Sequence, residues 1–425
     1  MSAEGKPILV IGGGIAGMTA AVEAAEYGCR VVLVEKEAYL GGRVLRTHRY
    51  FPKMCPPACG FEVNSRRVRE NPRIAVHTLS TVKAISGRAG AFRVRIRRRP
   101  RFVTGDGYLD ATMAAGLTAT RADEFNLGMN RIAPLYLPHP MAFPAAFVVD
   151  RESLSDADGA KLLQHCPPGA IDLDMAEEDL EIEVGAIVVA TGWRPYDASR
   201  LDHLGYGRCP NVVTNVMVER LAARDGPTGG EIVRPSDGAK ARHVAFVQCA
   251  GSRDENHLPY CSAVCCMGSL KQVRYLRDKN EGARATVFYI DIRTVGRHED
   301  FYHELVGIDG VSFVKGKVAR IDEIPVSRNL RVHLEDTLAG TARHDEFDLV
   351  VLATGIVPNT AELPTGDGQV PFPLPRDGYG FLAGGTLGDG IFAAGCVKRP
   401  SDVSRVTKDA TAAALKAVQC LNGRR

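Results

Sequence analysis

The sequence predicts an α/β protein made of two Rossmann-type domains, the first interrupted by an insertion and completed only after the second. Three observations carry that prediction. Residues Pro7–Glu35 read as strand, glycine turn, helix, strand and acidic residue. Two later apolar runs, IVVATGWRP at 187–195 and LVVLATGIVPN at 349–359, each continue into Ala-Thr-Gly. A further apolar strand, 243–248, is followed by a long turn and then by a helical period over 263–278. Residues 1–195 are therefore assigned to the first domain, with an insertion at about 103–165, residues 196–345 to the second, and residues 346–425 to the return into the first.

Bulk properties narrow the function. At 425 residues, 45% hydrophobic and 24% charged, the chain can bury sizeable cores in two or three domains. A net charge of +3 gives no electrostatic case for nucleic acid as the partner. MSAEGKPILVIGGG runs directly into a strand, leaving no room for a signal peptide, and no apolar stretch approaches the roughly 18 residues of a membrane helix. A cytoplasmic protein without a membrane span is expected. Of eleven cysteines, four fall between 249 and 266. In a reducing compartment that favours metal binding or redox chemistry over structural disulfides.

The first βαβ unit is the most specific motif. ILVIGGG is an apolar strand ending in Gly12-x-Gly14-x-x-Gly17, followed by an Ala-rich helix from Met18 to Tyr27, a closing Gly28, the strand Arg30–Val34 and Glu35. A lone GxGxxG is weak, but with both strands, the helix and an acidic residue about 20 positions on, the dinucleotide fingerprint is complete. The glycines let the backbone approach a pyrophosphate at the helix N-terminus, and Glu35 can accept bonds from ribose hydroxyls. Gly12, Gly14, Ile15, Ala16, Gly17, Glu35 and Lys36 are the first candidate cofactor-binding residues.

Shortly after Glu35, Gly41-Gly42-Arg43 resembles the GG[RKT] turn of two-dinucleotide-binding-domain flavoproteins, the thioredoxin-reductase-like fold. In that family the basic residue lies near the phosphates, so the resemblance selects FAD and adds Gly42, Arg43 and Val44. The family's Ala-Thr-Gly strands are crossings between domains, which brings in Thr191, Gly192 and Gly355. Thr386-x3-Gly390-Ile391-Phe392-Ala393-Ala394-Gly395 resembles the C-terminal flavin motif, adding Gly395. That motif normally ends Gly-Asp, the Asp binding the ribityl chain, and Cys396 stands here in its place. Lys398 is a candidate for contact with the flavin ring, against ordinary surface placement.

Between these motifs the chain is less specific. Cys55 and Cys59 in FPKMCPPACGF follow the GG turn, where disulfide reductases place a redox pair against the flavin. Their C-x3-C spacing and Pro56-Pro57 differ from the usual C-x4-C, so inert thiols are the alternative. Arginines between Arg93 and Arg101 alternate with apolar residues, as on a strand with one wet face. Residues 103–165 read as an insertion, and Cys166-Pro167 resembles the last part of a ferredoxin motif whose preceding C-x2-C-x2-C is missing. Residues 196–240 carry turn signals and read as a connection. Strands are then expected at 285–291, 311–317 and 330–334, re-entry into the first domain near Phe347, and a final helix from Asp402 to Leu421.

The second domain carries the unusual chemistry. After the strand ending at Gln248, Cys249, Cys261, Cys265 and Cys266 occupy the corner where a second pyrophosphate loop would stand. Gln248-Cys249-Ala250-Gly251 lacks GxGxxG, so ordinary NAD(P)H binding is not expected there. Four thiolates suit the iron atoms of a cubane cluster facing the flavin. They also suit tetrahedral zinc, although adjacent Cys265-Cys266 is awkward for a simple zinc knuckle. Cys261 and Cys265, four apart, are expected to share a face of a helical turn.

The segments IGGGIAG, VEKE, GGR, CPPGAIDLDM, VGAIVVATG, PTGGEIVRPSDG and QCAGSRDE…PYCSAVCCM together resemble the A-type subunit of heterodisulfide reductase over nearly the whole chain. The resemblance implies a [4Fe–4S] cluster on Cys249, Cys261, Cys265 and Cys266, close to FAD. Full-length relatives carry further ferredoxin clusters, of which this chain keeps only Cys166. In that respect it is similar to the shortened form found in heterodisulfide-reductase-like complexes of sulfur-oxidising prokaryotes. That form implies a homodimer docking B-like and C-like iron–sulfur subunits and a lipoate-binding protein. It further implies a flavin-dependent oxidoreductase passing electrons between two-electron flavin and one-electron cluster steps. No Ser/His/Asp or carboxylate-pair site is expected, and His257 and His298 are read as surface or loop residues. A stand-alone NAD(P)H-dependent reductase using Cys55 and Cys59, and a scaffold with structural FAD, are the other readings.

Overall fold

A computed structural model describes residues 5–423, apart from 52, 105–108, 362, 364 and 367–373. The apolar runs Ile8–Ile11, Val31–Val34 and Ala186–Val189 lack the alternation of a half-wet strand, and they are covered on both faces in one sheet. The strand order is Thr386–Gly388, Ile391–Ala393, Ala186–Val189, Ile8–Ile11, Val31–Val34, Ile74–His77. All neighbours are parallel except the edge pair Thr386–Gly388 with Ile391–Ala393. Ile8 sits between Ala186 and Val31, so the glycine turn leaves the middle of the sheet.

Helices Ile15–Glu26 and Val403–Leu421 pack together on one face, where Met18, Val22, Ala410 and Ala414 join Ile8 and Val10 in a single core. The first helix starts at Ile15, earlier than its Ala-rich period suggests, because Gly14 is already its N-cap. The opposite face is covered by a second sheet, in which Ser80–Arg88, Ala91–Arg98 and Glu178–Val184 run antiparallel. Phe92, Val94 and Ile96 point inward and the intervening arginines outward, as their alternation predicts. The outward charges are matched across the sheet: Arg97 pairs with Asp179, and Arg98 with Glu178.

The second parallel sheet runs Val212–Thr214, Leu349–Thr354, His243–Ala250, Arg284–Tyr289, Val311–Lys315. Helices Asn215–Ala222, Cys265–Lys279 and His298–Val306 contribute to the core on one face. The antiparallel strands Val318–Glu323, Leu330–Asp336 and Thr341–Phe347 cover the other. Two expectations change here. Leu349–Thr354 lies inside the second sheet, with Val244 opposite Leu349, so the second domain extends beyond residue 345. Residues 196–240, read as a connection, hold a three-residue strand and an eight-residue helix, too short to show a period.

The chain crosses between domains as an antiparallel pair, Trp193–Pro195 with Ile356–Pro358, directly after the two Ala-Thr-Gly turns. The insertion builds its own small core from Leu135, Val149, Leu162 and buried Cys166. Among the described residues no helix is long and apolar enough to cross a membrane.

Candidate functional site

A cavity of about 1020 Å³ lies between the domains. Its first wall is the dinucleotide corner. Gly12 has φ +104°, and a Cβ on Gly17 would stand 1.7 Å from the Gly12 carbonyl oxygen, so helix and strand can approach only through glycine. Gly14, Ile15 and Ala16 line the cavity, and the helix they open has no side-chain cap. Its first amides are therefore free to bind an anion such as a pyrophosphate. Glu35 closes the corner, accepting from Gly13 N at 2.5 Å and from Glu37 N at 2.8 Å. Burial pushes its carboxyl up to about 7, against those two bonds. Lys36, Gly42, Arg43, Val44, Thr191, Gly192 and Cys396 also line the cavity. The glycine cradle, the uncapped helix and the buried acid fit a dinucleotide.

Arg43, on the cavity wall, is also fastened to the crossing strand. Its Nε donates to the Trp193 carbonyl at 2.7 Å, its guanidinium lies 5.1 Å from the indole centre, and burial lowers its pKa to about 10. It fastens the GG turn to the crossing strand. Cys396 is buried, donates from Sγ to the Ser401 carbonyl at 3.4 Å, and burial pushes its thiol up to about 11. Several expected residues do not line the cavity. Gly395 N donates to Asp409 Oδ2 at 2.8 Å, and Lys398 Nζ is paired with Asp409 Oδ1 at 2.5 Å. Gly355 lies against Ser252 and Ser262. Cys55 is half-buried and Cys59 exposed, both outside the cavity wall.

The second wall is the cysteine corner. The strand His243–Ala250 carries Cys249 at φ +56°, and the helix Cys265–Lys279 starts on Cys265 and Cys266. Strand end and helix start thus occupy the expected pyrophosphate corner. Cys261, expected on a helical turn with Cys265, lies instead in the preceding loop. That loop is pinned by Ser252 Oγ and Ser262 Oγ at 3.2 Å, by Ile356 N donating to Ser262 Oγ at 2.9 Å, and by Tyr260 OH donating to the Ile356 carbonyl at 2.7 Å.

Cys249, Cys265 and Cys266 are buried and Cys261 half-buried, the last lining the cavity with Val264 and Met267. Burial, then the neighbouring thiols, pushes Cys265 far above the usual thiol range. The same causes take Cys249 to about 11, against Arg253. Three of the four cysteines are buried and the fourth stands at the cavity edge. Among the described residues, no three His, Cys, Asp or Glu side chains are grouped so as to hold a metal ion. Four cysteines at one corner are the soft donor set that both tetrahedral zinc and iron–sulfur clusters take.

Sequence reasoning missed the third wall. Asn215 and Glu219 come from the short helix hidden in the supposed connection, and Lys271 and Gln272 from the cysteine helix. Glu219 accepts from His48 N at 3.0 Å, Lys271 Nζ at 3.2 Å and Gln272 Nε2 at 2.6 Å. The one available signal was the i, i+4 spacing of Asn215 and Glu219.

Comparison with known proteins agrees with this geometry. Residues 7–111 match the family model described as FAD dependent oxidoreductase. The A-type iron-sulfur subunit (number 2) of CoB–CoM heterodisulfide reductase in Methanopyrus kandleri is 36% identical over 97% of this chain and 64% of its own length. The A-type subunit of the ferredoxin/F(420)H(2)-dependent CoB-CoM heterodisulfide reductase of Methanosarcina acetivorans is 35% identical over 99% of this chain and 54% of its own. The chain thus spans between about half and two thirds of these relatives. Among solved structures, T. acidophilum thioredoxin reductase has a TM-score of 0.54 at 12% identity, covering 97% of this chain and 98% of that one. Lactococcus lactis thioredoxin reductase has 0.53 at 14%, covering 98% and 99%. The fold is that of the thioredoxin-reductase-like flavoproteins, and by sequence the chain belongs to the heterodisulfide reductase A-type family of flavin-dependent oxidoreductases.

Proposed function

We propose that the chain is an electron-transfer subunit holding FAD along the Gly12–Glu35 wall and a [4Fe–4S] cluster on Cys249, Cys261, Cys265 and Cys266. The observation that carries this reading is that Cys261 lines the same cavity as Gly12, Gly14 and Glu35. Bound FAD exchanges two electrons or one and a [4Fe–4S] cluster one, so the pair supplies two-to-one electron conversion. The protein's own part is placement. The amides at Gly14–Ala16 hold the pyrophosphate, Glu35 holds the ribose, and Val264 and Met267 line the cavity beside Cys261. No side chain is assigned to proton transfer. The resemblance extends the proposal to a homodimer in a cytoplasmic heterodisulfide-reductase-like complex, with B-like and C-like iron–sulfur subunits and a lipoate-binding protein, acting in sulfur oxidation. Cys55 and Cys59, standing outside the cavity wall, favour this reading over a dithiol reductase.

Iron and acid-labile sulfide per FAD on anaerobically purified protein test it. About four of each are expected, lost in Cys265→Ser and kept in Cys59→Ser. Flavin without iron, with NADH turnover abolished by Cys59→Ser, would establish the dithiol reductase instead.

A further inference from the structure

We infer that Arg253 and Arg293, tied together by Asp291, form a cationic brace on the cysteine quartet that raises the reduction potential of the group it holds. The inference rests on the cluster proposed above. Arg253 stands in the quartet loop four residues after Cys249, ion-pairs with Asp291 Oδ1, and its charge opposes the burial that raises the Cys249 thiol. Arg293 Nε bonds Asp291 Oδ2 at 3.1 Å, and Arg293 lines the same cavity as Cys261. The Asp291 carbonyl accepts from Cys266 Sγ at 3.8 Å. One carboxylate therefore spaces two guanidinium groups, and the residue that carries it touches the quartet at Cys266.

The charges set the sign. Two guanidinium groups and one carboxylate leave one net positive charge beside the sulfurs. A four-thiolate cluster becomes more negative by one charge when it takes one electron. Cationic N–H donors at its sulfurs favour that state, and a carboxylate disfavours it. Exposure sets the order. Arg253 has 26% of its side chain exposed and Arg293 47%, so solvent and salt screen Arg293 more. Arg253 is the stronger lever.

A redox titration followed by electron paramagnetic resonance on the flavin- and iron-loaded protein, with iron counted in each sample, tests the brace. Arg253→Met is expected to lower the midpoint potential by about tenfold in the reduction equilibrium, which is 59 mV for a one-electron couple. Arg293→Met shifts it less, Arg253→Lys less than Arg253→Met, and Asp291→Asn shifts it upward. Opposite signs for Arg253→Met and Asp291→Asn separate tuning from a loop staple, since breaking a staple moves both the same way. Should Arg253→Met lose its iron, Arg293→Met and Asp291→Asn carry the same comparison. Unchanged potentials at full iron, or shifts of one sign, overturn the brace and leave the cluster standing. Wild-type protein without iron overturns the cluster reading itself, and the brace with it.

Discussion

Glu35 shows how the fold controls a single charge. Its spacing from the glycines made it legible in the sequence, but its burial did not follow from spacing. The carboxyl rises from 4.5 to about 7 because desolvation outweighs the bonds from Gly13 and Glu37. In flavin-free protein the folded chain therefore holds a proton that the unfolded chain releases between those values. That contribution is full below pH 4.5 and is lost as pH rises through 7, worth about 3 kcal/mol. Melting temperatures of wild type and Glu35→Gln across this range check it, since the variant has no such titration. The difference, wild type minus variant, should fall with rising pH and level off above 7; a difference that stays flat from pH 5 to 7 would mean the folded carboxylate is ionised throughout. Lys398 is the opposite case. Its position after the flavin motif suggested a ring contact, but the pairing with Asp409 depends on where the last helix packs. No local pattern encodes that.

At the scale of elements, the cysteine corner was readable as strand, turn and helix because its apolar run and helical period are strong. The path of the 251–264 loop was not, since it has no period. It is fixed by tertiary bonds between Ser252, Ser262 and Ile356. Gly355 belongs to this fastening. The Ala-Thr-Gly motif marked it as a crossing glycine, and the chain does cross there, but the need for glycine comes from the loop. A Cβ at residue 355 would stand 2.2 Å from Ser252 Oγ and 2.6 Å from Ser262 Oγ. Gly355→Ala is therefore expected to cost about 1–3 kcal/mol by overpacking. It should displace the loop carrying Cys261 while leaving the dinucleotide corner intact. Iron per flavin should fall with flavin content unchanged. Full iron at an unaltered melting temperature would show that the serines yield without moving the loop.

At the scale of the whole molecule, the cavity exists because two sheets are held at a fixed separation, and a buried network around Glu219 spans that gap. The first domain's hydrogen bonds to it come from backbone groups: His48 N donates to Glu219, and the Arg49 carbonyl accepts from Lys271 and from Tyr275 at 3.2 Å. The second domain supplies the side chains, with Glu219 and Lys271 5% and 8% exposed. Such a clamp is invisible to motif reading, because half of it is peptide backbone and the other half sits on two separate helices. Its energetics follow from burial. Glu219→Ala leaves the Lys271 ammonium uncompensated in a dry site, at a cost of about 3–5 kcal/mol. Tyr275→Phe removes a hydroxyl shared between the Arg49 carbonyl and, at 3.5 Å, Glu219 Oε2, at about 1 kcal/mol. Because the network joins the domains, the larger loss should fall on their contact before it falls on either core. Thermal unfolding followed by flavin fluorescence and by far-ultraviolet circular dichroism distinguishes the two. In Glu219→Ala the flavin signal is expected to move to lower temperature and separate from the loss of secondary structure, while in Tyr275→Phe the two stay together. Coincident, unshifted transitions in Glu219→Ala would show that the remaining links, among them the crossing strands Trp193–Pro195 and Ile356–Pro358 and the Arg220–Asn126 bond, hold the domains at the distance the cavity needs.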